Sequence, residues 1–364
     1  MTNCPKCLGP ISNYRYSCKA LTCSKSGIPA EPEHLSDLEQ KSPAPPACGE
    51  CGQAMSLHIC PDCGFELEAE EIRRKFLSVS LIGCEGSGKS NYLAVLIDQL
   101  RSQMCKVYGC TLYPTGGDRT MNHYRRQYHY PLYEQGVCVS STEQEDLNPL
   151  TYAILFSEGE KNNGQNVGLA FYDSCGKNLE SGPKMSTHNK SLYGSDGILL
   201  LIDPSQLPFI KEARKASNAP VLNSDPQALL LRAVHLIRKG LSIQDIEQKI
   251  DVPIAVCLTK LDTLYTHLDP ASFIAGPSRS LRRPMLNAAD IANCSLEVMA
   301  LMEKWGAGEL VQHVKRQFSN YSFFSFSALG SQPGSQNDVN HVSPHRALDP
   351  LLWLLWRNKI LRAG

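Results

Sequence analysis

The stretch LSVSLIGCEGSGKSNYLAVL, residues 77–96, constrains this chain more than any other. Leu77, Val79 and Leu81 alternate as in a strand. After Ser90, the residues Leu93, Leu96, Ile97 and Leu100 follow the i, i+3, i+4, i+7 spacing of a helix. Between them lies Gly83-Cys84-Glu85-Gly86-Ser87-Gly88-Lys89-Ser90, which fits GxxxxGK[ST] in the strand-to-helix context that pattern requires. Glycines let such a loop turn its N–H groups inward around phosphate, with the helix N-terminus behind them. Lys89 reaches the β- and γ-phosphates in this reading, and the Ser90 hydroxyl ligates Mg²⁺.

Other segments supply the rest of a sheet. TYAILF (151–156) and VGLAFY (167–172) read as two strands joined by a polar, glycine-bearing hairpin. GILLLID (197–203), PIAVCLT (253–259) and FFSFSA (323–328) read as short buried strands, with a helical stretch over roughly 225–249. Strands alternating with helices predict an α/β fold. That domain is expected over 76–364, with a helical insert around 263–320. The closing LDPLLWLLWRNKI reads as a packed terminal helix carrying Leu351, Leu354, Leu355 and Ile360, too short to span a bilayer.

Three downstream segments bear on which nucleotide the loop takes. LAFYDSCGK ends a strand at Asp173, with Gly176 completing DxxG. The aspartate can hold Mg²⁺ through water, and the glycine amide can sense a γ-phosphate. VCLTKLD places Thr259-Lys260-Leu261-Asp262, a [NT]KxD match, at the end of a buried strand. The Asp262 carboxylate can accept from guanine N1–H and the 2-amino group. Adenine lacks that pair of donors and would leave the acid unpaired. Lys260 would lie along the base, and Ser327-Ala328 would offer a backbone N–H to guanine O6.

These four elements, in this order, resemble the P-loop GTPases, and the hairpin before DxxG resembles the translation-factor-related (TRAFAC) branch. With the N-terminal cysteines and the closing DPLLWLLW, the chain looks like the bacterial double-GTPase family, whose members are encoded in predicted conflict or defence systems. The resemblance implies a mostly parallel central sheet with one antiparallel strand, GTP hydrolysis to GDP with Mg²⁺, and switch segments that respond to the nucleotide. It implies a threonine that completes the Mg²⁺ shell, for which Thr142 in SSTEQEDLNPL is the choice over Thr115 and Thr120. Lys177 stands where Ras-like proteins place a water-orienting glutamine, so hydrolysis is expected to be slow or aided by a partner. An arginine supplied by a partner adds roughly 10³–10⁵ in rate, and Arg119, Arg125 and Arg126 are internal candidates. The expected partner is a protein, such as a second GTPase or another operon-encoded product. Two other readings stay open: an ATP-using P-loop enzyme, and a scaffold that binds GTP with negligible turnover.

Fifteen cysteines would suggest disulfides in a small secreted chain. Here eight fall in the first 63 residues, mostly as CxxC pairs, and the N-terminus lacks a signal-peptide core, so a cytoplasmic protein with metal ligands is expected. Cys48, Cys51, Cys60 and Cys63 read as one zinc ribbon (48–66), and Cys4, Cys7, Cys18 and Cys23 as another module (1–23). A Pro-, Ser- and Glu-rich linker, 24–47, is expected between them. Both Zn²⁺ ions are expected to be structural, because four thiolates leave no open position. Lys plus Arg balances Asp plus Glu at 36 each, so a nucleic-acid partner is weakly supported and no membrane association is expected.

Overall fold

The computed structural model describes residues 2–11, 13–18, 20, 22–25, 29–34, 47–55, 57–67, 71, 74–116, 118–140, 148–157, 166–173, 188–217, 224–269 and 271–364. Thr142, Cys175, Gly176 and Lys177 lie outside these described residues.

The large domain is built on a seven-stranded sheet. Its strands are β7 (Phe76–Gly83), β8 (Cys110–Pro114), β9 (Leu150–Phe156), β10 (Asn166–Asp173), β11 (Gly197–Ile202), β12 (Ile254–Leu258) and β13 (Tyr321–Ser325), in the order β13-β12-β11-β7-β10-β9-β8. Strands β13, β12, β11, β7 and β10 pair in parallel. Strand β9 runs antiparallel to both β10 and β8. The expected α/β fold, with one antiparallel strand in a mostly parallel sheet, is therefore present.

Period-2 patterning explains why β7 sits in the middle. Leu77, Val79 and Leu81 face one core, while Ile82 faces the other. Strand β11 divides in the same way, with Leu199 and Leu201 opposite Ile198, Leu200 and Ile202. A strand buried on both faces needs cover on both, and the helices supply it. Helix α1 (Lys89–Gln99) follows the phosphate loop and continues through Leu100–Met104 to Cys105–Tyr108. Helix α2 (Asp118–Tyr124) runs on into a wider, π-type stretch, Arg125–Glu134. Then come α3 (His188–Tyr193), α4 (Pro208–Ala216) and α5 (Pro226–Gly240). The last of these starts where Asp225 caps the Gln227 and Ala228 amides at 2.9 and 3.3 Å and Pro226 opens the first turn.

The stretch read as an insert contributes α6 (Ala288–Lys304) and α7 (Gly308–Gln317). These helices lie between two parallel neighbours, β12 and β13, and so belong to the crossover that such a pair requires. Helix α8 (Asp349–Arg357) buries Leu351, Leu352, Leu354 and Leu355 completely, so the terminal helix is a core element. No helix among the described residues is long and apolar enough to cross a membrane.

The N-terminal segment forms β1 (Thr2–Asn3), β2 (Pro10–Ile11), β3 (Asn13–Ser17), β4 (Pro29–His34), β5 (Leu57–Ile59) and β6 (Glu66–Leu67). Strands β4-β3-β5-β6 make one sheet. Two sequence expectations change here. Part of the segment read as a linker, Pro29–His34, is a strand paired with β3. The segments read as separate modules are joined, because β3 of the first pairs with β5 of the second.

Candidate nucleotide site and the four-cysteine centres

Parallel pairing brings the carboxyl ends of β7, β10, β11, β12 and β13 to one edge of the sheet, where open α/β sheets place their ligand crevice. Gly83, at the end of β7, has no room for a Cβ, which would meet the Leu201 carbonyl oxygen at 2.5 Å and Ser87 Oγ at 2.6 Å. Gly86 and Gly88 take φ of 77° and 87°, the left-handed region where a side chain is strained. Gly88 is the N-cap of α1, so the turn delivers Lys89 and Ser90 as the first helical residues. The Lys89 ammonium lies over the loop, donating to the Gly83 and Cys84 carbonyls at 2.8 and 3.1 Å. Glu85 and Gly86 are exposed and Ser87 is buried.

Ser90 Oγ donates to Asp173 Oδ2 at 3.0 Å, so the two residues expected to hold Mg²⁺ meet. Tyr128, from the π-type stretch, donates to the same oxygen at 3.3 Å. Nothing in the sequence marked Tyr128, since YRRQYHY resembles any solvated basic helix. Thr259 Oγ1 donates to the Ser87 carbonyl at 3.0 Å, joining the third motif to the first. Lys260 has a φ of 54° and pairs with the buried Asp203 at 2.5 Å. Asp203 closes the run GILLLID and was readable as a strand-end acid, although its partner was not. Gln206, unmarked by the sequence, donates to the Glu85 carbonyl at 3.0 Å.

Asp262 accepts a short hydrogen bond from the Ser327 hydroxyl, so the third and fourth motifs also meet. The expectation for Ser327-Ala328 narrows. The Ser327 amide is already bonded to the His345 carbonyl at 3.1 Å, which leaves Ala328 as the residue of the pair to offer an N–H. Phe326 stacks on Tyr92 with centroids 4.3 Å apart, fixing this strand end against α1. Of the arginines considered as internal catalytic groups, Arg119 is otherwise engaged. Its guanidinium lies 4.0 Å from the Phe65 ring centroid and donates to the Glu66 carbonyl at 3.2 Å. Arg125 and Arg126 are exposed.

The eight N-terminal cysteines form two clusters, but the sets differ from the sequence expectation. Cys4 and Cys7 join Cys60 and Cys63, while Cys18 and Cys23 join Cys48 and Cys51. The β3–β5 pairing crosses the two halves, so each centre takes one cysteine pair from each. Ligand sets cannot be assigned from spacing alone when two modules share a sheet.

The sulfurs fit zinc. A tetrahedron with Zn–S of about 2.3 Å has S···S edges of about 3.8 Å. Cys4–Cys63, Cys7–Cys60, Cys18–Cys51 and Cys23–Cys48 lie 3.7, 3.8, 3.5 and 3.7 Å apart. These separations are far too long for disulfides. Backbone amides of Lys6 and Ala20 approach Cys4 Sγ and Cys18 Sγ at 3.4 and 3.5 Å, which suits thiolate. Gly52 and Gly64, following Cys51 and Cys63, take φ of 69° and 70° as knuckle turns need.

No protein-family model matches the chain. A protein of Mycolicibacterium smegmatis named "Putative ESX-1 scaffolding and assembly protein SaeC" is 24% identical over 402 aligned positions, covering 97% of this chain and 98% of its own. Among solved structures, the signal recognition particle receptor SRβ-GTP/SRX complex from Chaetomium thermophilum matches 71% of this chain and 93% of its own, at 14% identity and a TM-score of 0.30. Sup35 complexed with GDP matches 76% of this chain and 45% of its own, at 10% identity and a TM-score of 0.25.

Proposed function

We propose that the protein binds GTP with Mg²⁺ and acts as a nucleotide-controlled switch that hydrolyses GTP slowly or with a partner's help. The observation that carries this reading is the meeting of four sequence motifs at one sheet edge. Ser90 bonds Asp173, Thr259 bonds the phosphate loop, and Ser327 bonds Asp262. The backbone of 83–88, Lys89 and the start of α1 would take the phosphates. Ser90 and Asp173 would hold the cation, which on binding neutralises phosphate charge. Asp262 would accept from the guanine edge, Lys260 would lie along the base, and the Ala328 amide would meet O6. Asp203 fixes Lys260 for that task by pairing with its ammonium. Thr142 and Gly176 remain proposed switch residues.

A second reading is favoured by the mycobacterial relative, whose name describes scaffolding and assembly and which matches nearly the whole chain. In that reading GTP binding sets a conformation recognised by another protein and turnover is incidental. A place in a bacterial defence system rests on family resemblance alone. Equilibrium titration of the purified protein with GTP and with ATP, followed by single-turnover phosphate release, separates these readings. Selective GTP binding with release, however slow, supports the switch; selective binding with no release, alone or with an added partner protein, supports the scaffold. Preference for ATP would reject both.

A further inference from the structure

Two of the elements around the nucleotide site rest on one of the cysteine centres. The first is β10. Tyr172, immediately before Asp173, is buried, and its hydroxyl donates to the Pro5 carbonyl between Cys4 and Cys7. The second is α2, where Arg119 stacks on Phe65 at 4.0 Å and bonds the Glu66 carbonyl, just beyond Cys63. That helix runs into the stretch carrying Tyr128, which bonds Asp173. Both knuckles of one centre therefore touch an element that presents a polar group to the cation position.

Leu8 gives the contact a local signature. It follows Cys7 as Gly52 and Gly64 follow Cys51 and Cys63, and takes the same left-handed turn, with φ of 57°. Leucine is strained there where glycine is not. Its side chain packs against Phe76, Ala170 and Tyr172 of the large sheet. Gly194 makes room for it, since a Cβ there would come 3.0 Å from Leu8 Cδ1. A strained leucine is accounted for by docking and not by metal binding, which the glycine knuckles achieve without it.

We propose that the Cys4–Cys7–Cys60–Cys63 centre is a positioning element of the nucleotide site, so that its zinc occupancy and Mg²⁺-GTP binding are thermodynamically linked. The proposal rests on the GTP reading. Linkage is reciprocal: whatever zinc does for nucleotide affinity, nucleotide does for zinc affinity.

The test is an equilibrium competition for zinc between the full chain and a chromogenic chelator, at fixed Mg²⁺, with and without GTP. GTP binding is measured in the same samples by a fluorescent analogue. At least one of the two zinc equivalents should tighten about five-fold or more with GTP. The Leu8→Gly variant relaxes the turn and removes the Leu8 packing, so it should keep both zincs and weaken the response. Tyr172→Phe, which leaves every ligand intact, should reduce it. If GTP binds and neither equivalent moves, or if Leu8→Gly keeps the full response, the coupling is wrong while the site reading stands. If GTP does not bind at all, the site reading fails and the proposal falls with it.

Discussion

The Thr259 hydroxyl donates to the carbonyl oxygen of Ser87 at 3.0 Å, fastening the end of β12 to the middle of the phosphate loop. The same hydroxyl lies 3.3 Å from the Ile202 carbonyl on β11. One buried side chain thus ties the proposed phosphate end of the site to its proposed base end. Thr259→Val keeps the shape and removes the donor, leaving a buried carbonyl short of a partner. The cost should be about 1–2 kcal/mol, seen in a urea melt and as weaker nucleotide binding.

Lys89→Ala should abolish triphosphate binding while the fold persists. The lysine is half-buried and donates to carbonyls of the loop it lies over, so its removal leaves the packed core in place. Calorimetry should show no binding heat, and the far-ultraviolet dichroism should be unchanged.

The crossed cysteine sets predict metal contents that sequential ribbons do not. Cys7→Ser with Cys60→Ser strikes one centre and should cost one zinc per chain. Cys48→Ser with Cys60→Ser strikes both and should cost two. Sequential ribbons would give the opposite counts, and elemental analysis distinguishes them. Because the module touches the large domain through Pro5, Leu8 and Phe65, chelation should also perturb β10 and α2 in hydrogen exchange.

Arg346 lies buried between Asp290 and Asp349, at 2.6 and 2.8 Å. Ser278 completes the cluster by donating to Asp349 at 2.5 Å. Burial pushes the Asp349 carboxyl above its ordinary range, and Arg346 opposes that shift. Arg346→Met takes the buried cation from both acids, so a loss of about 3–5 kcal/mol is expected in equilibrium unfolding.

His345 contributes a pH dependence of defined sign. Burial holds its imidazole below the ordinary value of 6.5. Below that pH the unfolded chain binds a proton that the folded chain does not, so stability is lost as pH falls from 6.5 toward the folded value. His345→Gln should flatten the dependence of the melting temperature on pH in this window.

The central strands were legible because apolar runs bounded by turn residues leave few alternatives. The phosphate loop and Asp173 were legible because each ends such a run, and Asp262 because the TKxD spacing follows one closely. Strand β8, with Thr111 exposed and Cys110 half-buried, has too little patterning to stand out. Tyr128 and Gln206 reach the site from helical segments whose sequences carry no motif. The crossed metal centres were hidden for a topological reason: CxxC spacing identifies ligands locally, whereas β3–β5 pairing decides which pairs meet.

The central claim is guanine recognition by Asp262, and the most direct measurement is competition among GTP, XTP and ATP for the wild-type chain and for Asp262→Asn. In the proposed reading the carboxylate would pair with the guanine N1–H and 2-amino donors, whereas an amide would suit the 2-oxo group of xanthine. Wild-type protein should prefer GTP, and the variant should lose GTP by about ten-fold or more while gaining XTP. Unchanged GTP preference in the variant, or ATP preference in the wild type, would contradict the account.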